Sequence, residues 1–323
     1  MPIAVLLGDI NVDLLLAVPA YPSEGGEAIA DRQVQQLGGS ATNTAIGLAR
    51  MGITSRMIGR VGSDAVGDTA LADMAGAGVD TNWISRDPAE PTQTNIVVVS
   101  ASGERTMFAY RGANARLSPE LIAPDVLEGV GMVHLSGYSL LQSPQRDAAF
   151  KLASLAYAAG IPVSLDIPAG VAAEIAQQVR RFAPMLDTVL LGEADIDQMG
   201  FATANNIVAL GIRAVVVKRG AAGCLLVTAA AATSIPGLAV TVVDTTGAGD
   251  AMAAGIIAAR LAGLAEDEAC QLGATLGALT VGRVGAGLAM PTLREAEALL
   301  TTTMTTGRLI DALRAWVGKH TVR

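Results

Sequence analysis

The sequence predicts an α/β fold, a doubly wound and mostly parallel sheet flanked by helices, with a small β-sheet standing off it as a lid. Three observations predict it. Short runs that are apolar on both faces recur as Ile3 to Leu7, Met132 to Leu135, Pro162 to Leu165, Thr188 to Leu191 and Ala214 to Val217. Such runs mark strands covered on both sides. Ala- and Leu-rich stretches at helical spacing separate them, as in Arg146 to Ala159 with its stop at Gly160, and alternating strand and helix implies a parallel sheet. Residues 12–37 and 92–113 break this alternation with short strands that have no crossover helix between them, the mark of a separate small sheet and a candidate lid.

In chain order, the first strand runs into a polar loop carrying Asn11 and Asp13. The segment 12–37 supplies the first lid strands. Gly38-Gly39-Ser40-Ala41-Thr42-Asn43 then opens a helix from Thr44 to Met51 that stops at Gly52. Thr94 to Ser100 and Glu104 to Tyr110 form a hairpin around Ser102-Gly103, a turn pair that reverses the chain tightly. The charge-free stretch Ala221 to Val243 contains Thr228, Thr233, Ser234 and a Pro236-Gly237 turn, so it reads as consecutive short strands ending in Ala239 to Val243 rather than as a membrane span. Helices follow over 249–262, 266–282, 292–300 and 308–317. No linker or repeat interrupts residues 1–323, which read as one domain.

Composition narrows the function. Twenty-two Lys and Arg against 30 Asp and Glu give a net charge of −8, which offers no basic surface to nucleic acid or to an anionic membrane. Any phosphate must be bound by a local device. Cys224 and Cys270 are too few for a disulfide framework, and His134 and His320 lie far from both, which excludes a structural zinc site. Residues 1–20 have no basic start, and Asp9 and Asp13 interrupt the apolar stretch; no secretory signal is predicted, and the cytoplasm is the expected location.

The 36 glycines cluster at two places that can approach a ligand. Gly38 and Gly39 precede a helix start, with Asn43 in its first turn; this is either a tight turn or a site where backbone meets ligand. The second cluster, Asp244-Thr245-Thr246-Gly247-Ala248-Gly249-Asp250, opens a long helix. Converging N–H groups and the helix dipole there favour an anion. Asp250 is either a capping carboxylate or a general base beside the bound anion. Asn11 and Asp13 share one face at a strand's carboxyl end, where open α/β sheets bind ligands, and suit hydroxyl-rich molecules or an ordinary turn. Neither G-x-x-x-x-G-K-[ST] nor G-x-G-x-x-G after a strand occurs, which disfavours P-loop enzymes and dinucleotide-dependent dehydrogenases.

Taken together, Gly38 to Gly52 and Asp244 to Gly255 resemble the two signatures of the ribokinase (PfkB) family of carbohydrate and nucleoside kinases, over Ile3 to about Leu300. The resemblance implies a ribokinase-like core and transfer of the ATP γ-phosphate to a sugar hydroxyl. It implies Asp250 as catalytic base and the Gly247, Ala248 and Gly249 amides as anion hole. Asn11, Asp13, Gly38, Gly39 and Asn43 match positions that hold the sugar. Lys218, Gly220 and Gly223 match a turn along the nucleotide. The family's N-x-x-E element, associated with magnesium and phosphate, is Gly192-Glu193-Ala194-Asp195 here, so Asp195 and Glu193 are the indirect Mg2+ candidates and Asp195 also a nucleotide contact. Asp244, Thr246, Thr280 and Gly285 match the region of an activating potassium site, where Ala289 replaces a Ser.

Segment 12–37 holds Arg32 and no Lys, and it carries Glu27, so the expected acceptor is an unphosphorylated sugar. Arg105 and Arg111 on the second lid ribbon would clamp a phosphate or carboxylate if they faced inward, and Arg105 is a substrate-binding candidate. A nucleoside is the alternative acceptor, with Phe108, Tyr110 and Tyr138 as the few aromatics available; a phosphosugar kinase and a non-catalytic sugar-binding regulator stand further back. Exposed edges of a small lid sheet predict a homodimer paired through the lid.

Overall fold

Residues 3–303 and 307–320 are described by the computed structural model. Its first strands are β1 (Ile3–Leu7), β2 (Asn11–Val18) and β3 (Arg32–Gly38), followed by helix α1 (Ser40–Arg50). Next come β4 (Ser55–Gly62), α2 (Ala65–Gly76), β5 (Ile84–Asp87), β6 (Gln93–Ser100) and β7 (Arg105–Tyr110). The middle of the chain alternates β8 (Val130–Ser136), α3 (Gln145–Ala158), β9 (Val163–Asp166), α4 (Ala172–Phe182), β10 (Thr188–Gly192), α5 (Glu193–Gln198), α6 (Ala204–Val208) and β11 (Ala214–Lys218). Strands β12 (Cys224–Thr228) and β13 (Ala232–Ile235) precede helices α7 (Ala248–Leu261), α8 (Glu266–Val281), α9 (Leu293–Thr303) and α10 (Arg308–His320).

Nine strands form the main sheet in the order β13-β12-β11-β10-β9-β8-β1-β4-β5. From β11 to β5 every pairing is parallel, while β12 and β13 pair antiparallel at one edge. The sheet turns antiparallel there because β12 and β13 return by short turns, with no helix to carry the chain back. In β1, Ala4 and Leu6 join one buried cluster while Val5 and Leu7 join the other. That split explains the doubly apolar run in the sequence: both faces are covered.

The lid is a second sheet in the order β3-β2-β6-β7. Hairpin pairs β2·β3 and β6·β7 are antiparallel, and β2·β6 is parallel, so two segments distant in sequence close one sheet. The expected strand at 239–243 is absent. That stretch is irregular, Val242 and Val243 are exposed, and the Val243 and Asp244 amides donate to the Val281 carbonyl at the end of α8. Their apolar run lies along a helix end instead of entering a sheet. No helix among the described residues is long and apolar enough to cross a membrane.

Small residues set the helix packing on the site's side of the sheet. A Cβ on Gly47 of α1 would stand 3.0 Å from the Ala254 Cβ of α7, and one on Gly255 would stand 2.8 Å from the Gly273 Cα of α8. Alpha-helices this close leave no room for a branched side chain. Gly255→Val is expected to destabilise the fold by about 2–3 kcal/mol, read as a fall of several degrees in the melting temperature, with little change for Gly76→Ser at the exposed end of α2.

Candidate active site

The carboxyl ends of β1, β8, β9, β10 and β11, the start of α7 and the lid strand β2 converge on one cleft, the position ligands take in open α/β sheets. The chain enters α7 through Gly247, whose φ of 78° lies in the left-handed region, and a Cβ there would stand 2.5 Å from the Ala286 Cβ. Only glycine meets both conditions. Of the first-turn N–H groups of α7, that of Ala248 donates to the Thr245 carbonyl at 3.3 Å, while those of Gly249 and Asp250 have no carbonyl one turn back within the helix and face outward with the dipole. Lys218 Nζ closes one side of this loop, 3.3 Å from the position of a Cβ on Gly249.

Asp250, in the first turn of α7, is held from α1. Ser40 Oγ donates to its Oδ1 and Asn43 Nδ2 to its Oδ2, both at 2.7 Å, and Thr44 Oγ1 donates to its main-chain carbonyl at 3.3 Å. Burial pushes the Asp250 carboxyl up to about 6, the hydrogen bonds from Asn43 and Ser40 and the Lys218 charge oppose the rise, and the Asp166 charge adds to it. The two glycine clusters of the sequence thus meet at one carboxylate. Asn43 Oδ1 is buried without a hydrogen-bond partner, an acceptor left open at the cleft.

The polar wall beside it is built on the lid strands β2 and β6 and the turn after β7. Asp13 Oδ1 accepts from Asn11 Nδ2 and from Asn95 Nδ2, each at 2.7 Å. Gln93 Nε2 donates to Asn95 Oδ1 at 3.1 Å, and Asn114 Nδ2 donates to Gln93 Oε1 at 2.9 Å. Burial raises the Asp13 carboxyl above its ordinary value against these hydrogen bonds. Gly38 lets the wall close, since a Cβ there would stand 2.6 Å from Asp13 Oδ2; Gly39, at φ 105°, passes so near the Asp9 carbonyl that a Cβ would stand 2.2 Å from its oxygen.

Both lid arginines turn inward. Arg105 Nη1 donates to Thr246 Oγ1 at 2.8 Å and lies 4.0 Å from Asp244 Oδ1. Arg111 Nη2 donates to both Asp9 oxygens and to Gln145 Oε1, while its Nη1 is buried without a partner. Asp244 ties the loop before α7 to the one after α8, accepting from the Thr246 amide and hydroxyl and from the Gly285 amide. Burial alone would raise its carboxyl, but these hydrogen bonds hold it below the usual carboxylate range.

Other expected site residues are engaged elsewhere. Asp195 Oδ2 accepts from the Gly192 amide at 2.8 Å and caps α5, and Glu193 is exposed with Arg219 Nε 3.5 Å away. The Thr280 hydroxyl donates to the Leu276 carbonyl within α8. No three His, Cys, Asp or Glu side chains gather as a metal cage among the described residues. Gly220 leaves open space at its turn, whereas a Cβ on Gly223 would collide with the Ile235 and Gly237 backbone, so Gly223 serves the protein's own packing. Tyr138 sits near Asp250, Asp9 and Asp166; burial first, then these charges, raise its phenol. Phe108 and Tyr110 are exposed, and the Tyr110 hydroxyl donates to Glu90 at 2.8 Å. Sequence reasoning did not single out Ser40, Gln93 or Asn95. Ser40 lies inside the first glycine cluster, and Gln93 and Asn95 show the period-two spacing of one strand face.

Ser40→Ala removes a hydrogen bond to the charged form of Asp250, so the carboxyl is expected to titrate above 6; ¹³C NMR of the carboxyl reads the shift.

A sequence profile described as pfkB family carbohydrate kinase matches residues 1–293. The chain is 34% identical over 300 residues to an ATP-dependent ribose-1-phosphate kinase of Halopiger xanaduensis, covering 91% of this chain and 96% of that one. It is 32% identical to a fructokinase of Klebsiella pneumoniae, covering 88% and 95%. The Arabidopsis thaliana ribokinase solved with ribose and ATP superposes with a TM-score of 0.82 at 26% identity, covering 93% of this chain and 98% of that one.

Proposed function

The chain belongs to the pfkB family of carbohydrate kinases, and from that premise we propose that it transfers the γ-phosphate of ATP to a hydroxyl of a small, unphosphorylated sugar, as ribokinases and fructokinases do. Asp250 carries this reading. It is a carboxylate poised near neutrality beside an anion-binding helix start, held by two donors from α1. The sugar lies against Asn11, Asp13, Asn95, Gly38 and Gly39, with the open Asn43 Oδ1 accepting from one hydroxyl. ATP lies along Lys218 to Gly223, with its γ-phosphate at the Gly247, Ala248 and Gly249 amides.

The acceptor hydroxyl gives its proton to Asp250 as its oxygen bonds to the γ-phosphorus. The bond from that phosphorus to the bridging β–γ oxygen breaks, and ADP leaves with the electron pair. Amides and the dipole of α7 stabilise the charge that develops on the transferred group. Magnesium, when bound on the nucleotide, neutralises phosphate charge; the absence of a carboxylate cage among the described residues suits an ion that arrives with its phosphates. Asp195 and Glu193 would reach it only indirectly. For potassium, Asp244 is committed to Thr246 and Gly285, which leaves main-chain carbonyls of this loop pair as its ligands. By likeness to the ribokinases it resembles, we place the enzyme in the cytoplasm.

The inward arginines favour a second reading, an acceptor that carries a phosphate or carboxylate. Arg105 stands at the anion loop and Arg111 keeps one buried nitrogen unpaired, and one relative is named a ribose-1-phosphate kinase. The exposed positions of Phe108 and Tyr110 speak against a nucleobase sandwich. Exposed Ile96, Met107, Phe108 and Tyr110 on the lid support a homodimer through that sheet, and light scattering is expected to give twice the chain mass.

Asp250→Asn is expected to keep ATP binding by calorimetry and to lower turnover by about three orders of magnitude; near-normal turnover contradicts the reading. Since the base acts ionised, kcat/KM of the wild type should fall as pH drops through about 6. A coupled ADP-release assay over sugars, acid sugars and their phosphates tests the acceptor. Sugars should exceed their phosphates at least tenfold in kcat/KM; the opposite order, abolished by Arg105→Ala, supports the second reading.

A further inference from the structure

One ion pair in the cleft links Lys218, where the nucleotide turn begins, to Asp166, a carboxylate that takes no part in the chemistry described above. Asp166, the last residue of β9, accepts a hydrogen bond from Lys218 Nζ, at the end of β11, at 2.6 Å. These strands are not neighbours, because β10 lies between them. In register, Leu190 stands opposite Asp166 and Gly192 opposite Lys218, so the lysine reaches across the end of β10. The Asp166 side chain is 4% exposed and that of Lys218 20%. Withdrawing two charges from water is costly unless they have a partner and a purpose. Here the ammonium also lies against the anion loop, 3.3 Å from the position of a Cβ on Gly249.

The turn after β10 offers no comparable group. Gly192 has no donor side chain, and the Asp195 carboxylate is spent on capping α5. Beneath the pair, His134 is fully buried, its Nδ1 hydrogen-bonded with Ser164 Oγ, and burial lowers it to about 4; it stays neutral at working pH and adds no positive charge. On the assumption that the chain phosphorylates a sugar as argued above, we propose that Asp166 is a positioning residue that holds Lys218 at the anion loop, and that the Lys218 ammonium supplies the fixed positive charge toward the transferred phosphoryl group that the 192–195 turn lacks. The two charges compensate each other. When the phosphoryl group arrives, the ammonium is already within reach and no side chain has to be recruited from solvent.

The same pair acts on Asp250 with opposite signs. Groups that face Asp250 are Ser40 and Asn43 from α1, Lys218 from β11, Asp166 from β9 and Tyr138 from the turn after β8. Removing the lysine charge raises the carboxyl and removing the Asp166 charge lowers it.

Kinetics of wild type, Lys218→Met, Lys218→Arg and Asp166→Asn over pH 5–9 test this, with circular dichroism as the folding control and Asp250→Asn alongside. Lys218→Met is expected to lower kcat at least a hundredfold, with the acceptor KM changed less than fivefold, and Lys218→Arg to recover at least tenfold of that loss. The acidic limb should move up in Lys218→Met and down in Asp166→Asn, as their charges on Asp250 require; a loss in kcat with KM spared, recovered by arginine, is what a merely structural role would not produce. If Lys218→Met does not fold, Asp166→Asn decides: an acidic limb that does not move down, with kcat within threefold of wild type, overturns the proposal. A Lys218→Met kcat within threefold of wild type overturns it while a dead Asp250→Asn leaves the kinase reading standing. Full activity in Asp250→Asn removes the kinase reading instead.

Discussion

The close packing of α1 on α7 is the constraint on which the rest of the site depends. Helices whose facing residues are Gly47 and Ala254 approach until a Cβ on the glycine would be 3.0 Å from its neighbour. At that separation the first turn of α1 lies beside the first turn of α7, and side chains as short as Ser40 and Asn43 reach Asp250 at 2.7 Å. A larger residue in the interface would part the helices and leave a carboxylate without its donors. The abundance of Gly and Ala in this chain is therefore a geometric requirement of the cleft as much as of the core.

Electrostatics follow from the same geometry. A chain of net charge −8 gathers Asp9, Asp13, Asp166, Asp244 and Asp250 around one cleft, yet most are neutralised locally. Asp9 is met by Arg111 and Gln145, Asp166 by Lys218, and Asp244 by backbone amides and a hydroxyl. Asp250 is the carboxylate that burial and Asp166 hold near neutrality. An acidic surface is no barrier to a polyphosphate when the positive potential comes from amides and a helix terminus aimed at one point.

Much of this was legible in the sequence, and the exceptions have physical causes. Doubly apolar runs located β1, β8, β9, β10 and β11 because burial on both faces writes an unmistakable pattern. The glycine clusters marked the two sides of the α1–α7 contact at Asp250, since Gly38, Gly39 and Gly247 leave no room for a Cβ. Contacts across long sequence separation were not legible: that Asn95 of β6 meets Asp13 of β2, or that Asp166 meets Lys218 across β10, depends on strand order and register, which no local spacing encodes. The run at 239–243 misled because Val242 and Val243 are exposed along a helix end. Asp195 matched an acidic position in the family pattern, but with Gly192 before it the shorter carboxylate folds back on the amide and caps the helix.

The claim at the centre of this account is that Asn43 and Asp250 act as one unit across the helix contact. A double-mutant cycle in kcat/KM on Asn43→Ala and Asp250→Asn measures that directly. If the unit exists, the double variant will lose far less than the product of the two single losses, because the hydrogen bond and the base are lost together and only the Asn43 contact to the sugar is left to add. Losses that simply multiply would show that the two residues work independently and would contradict it.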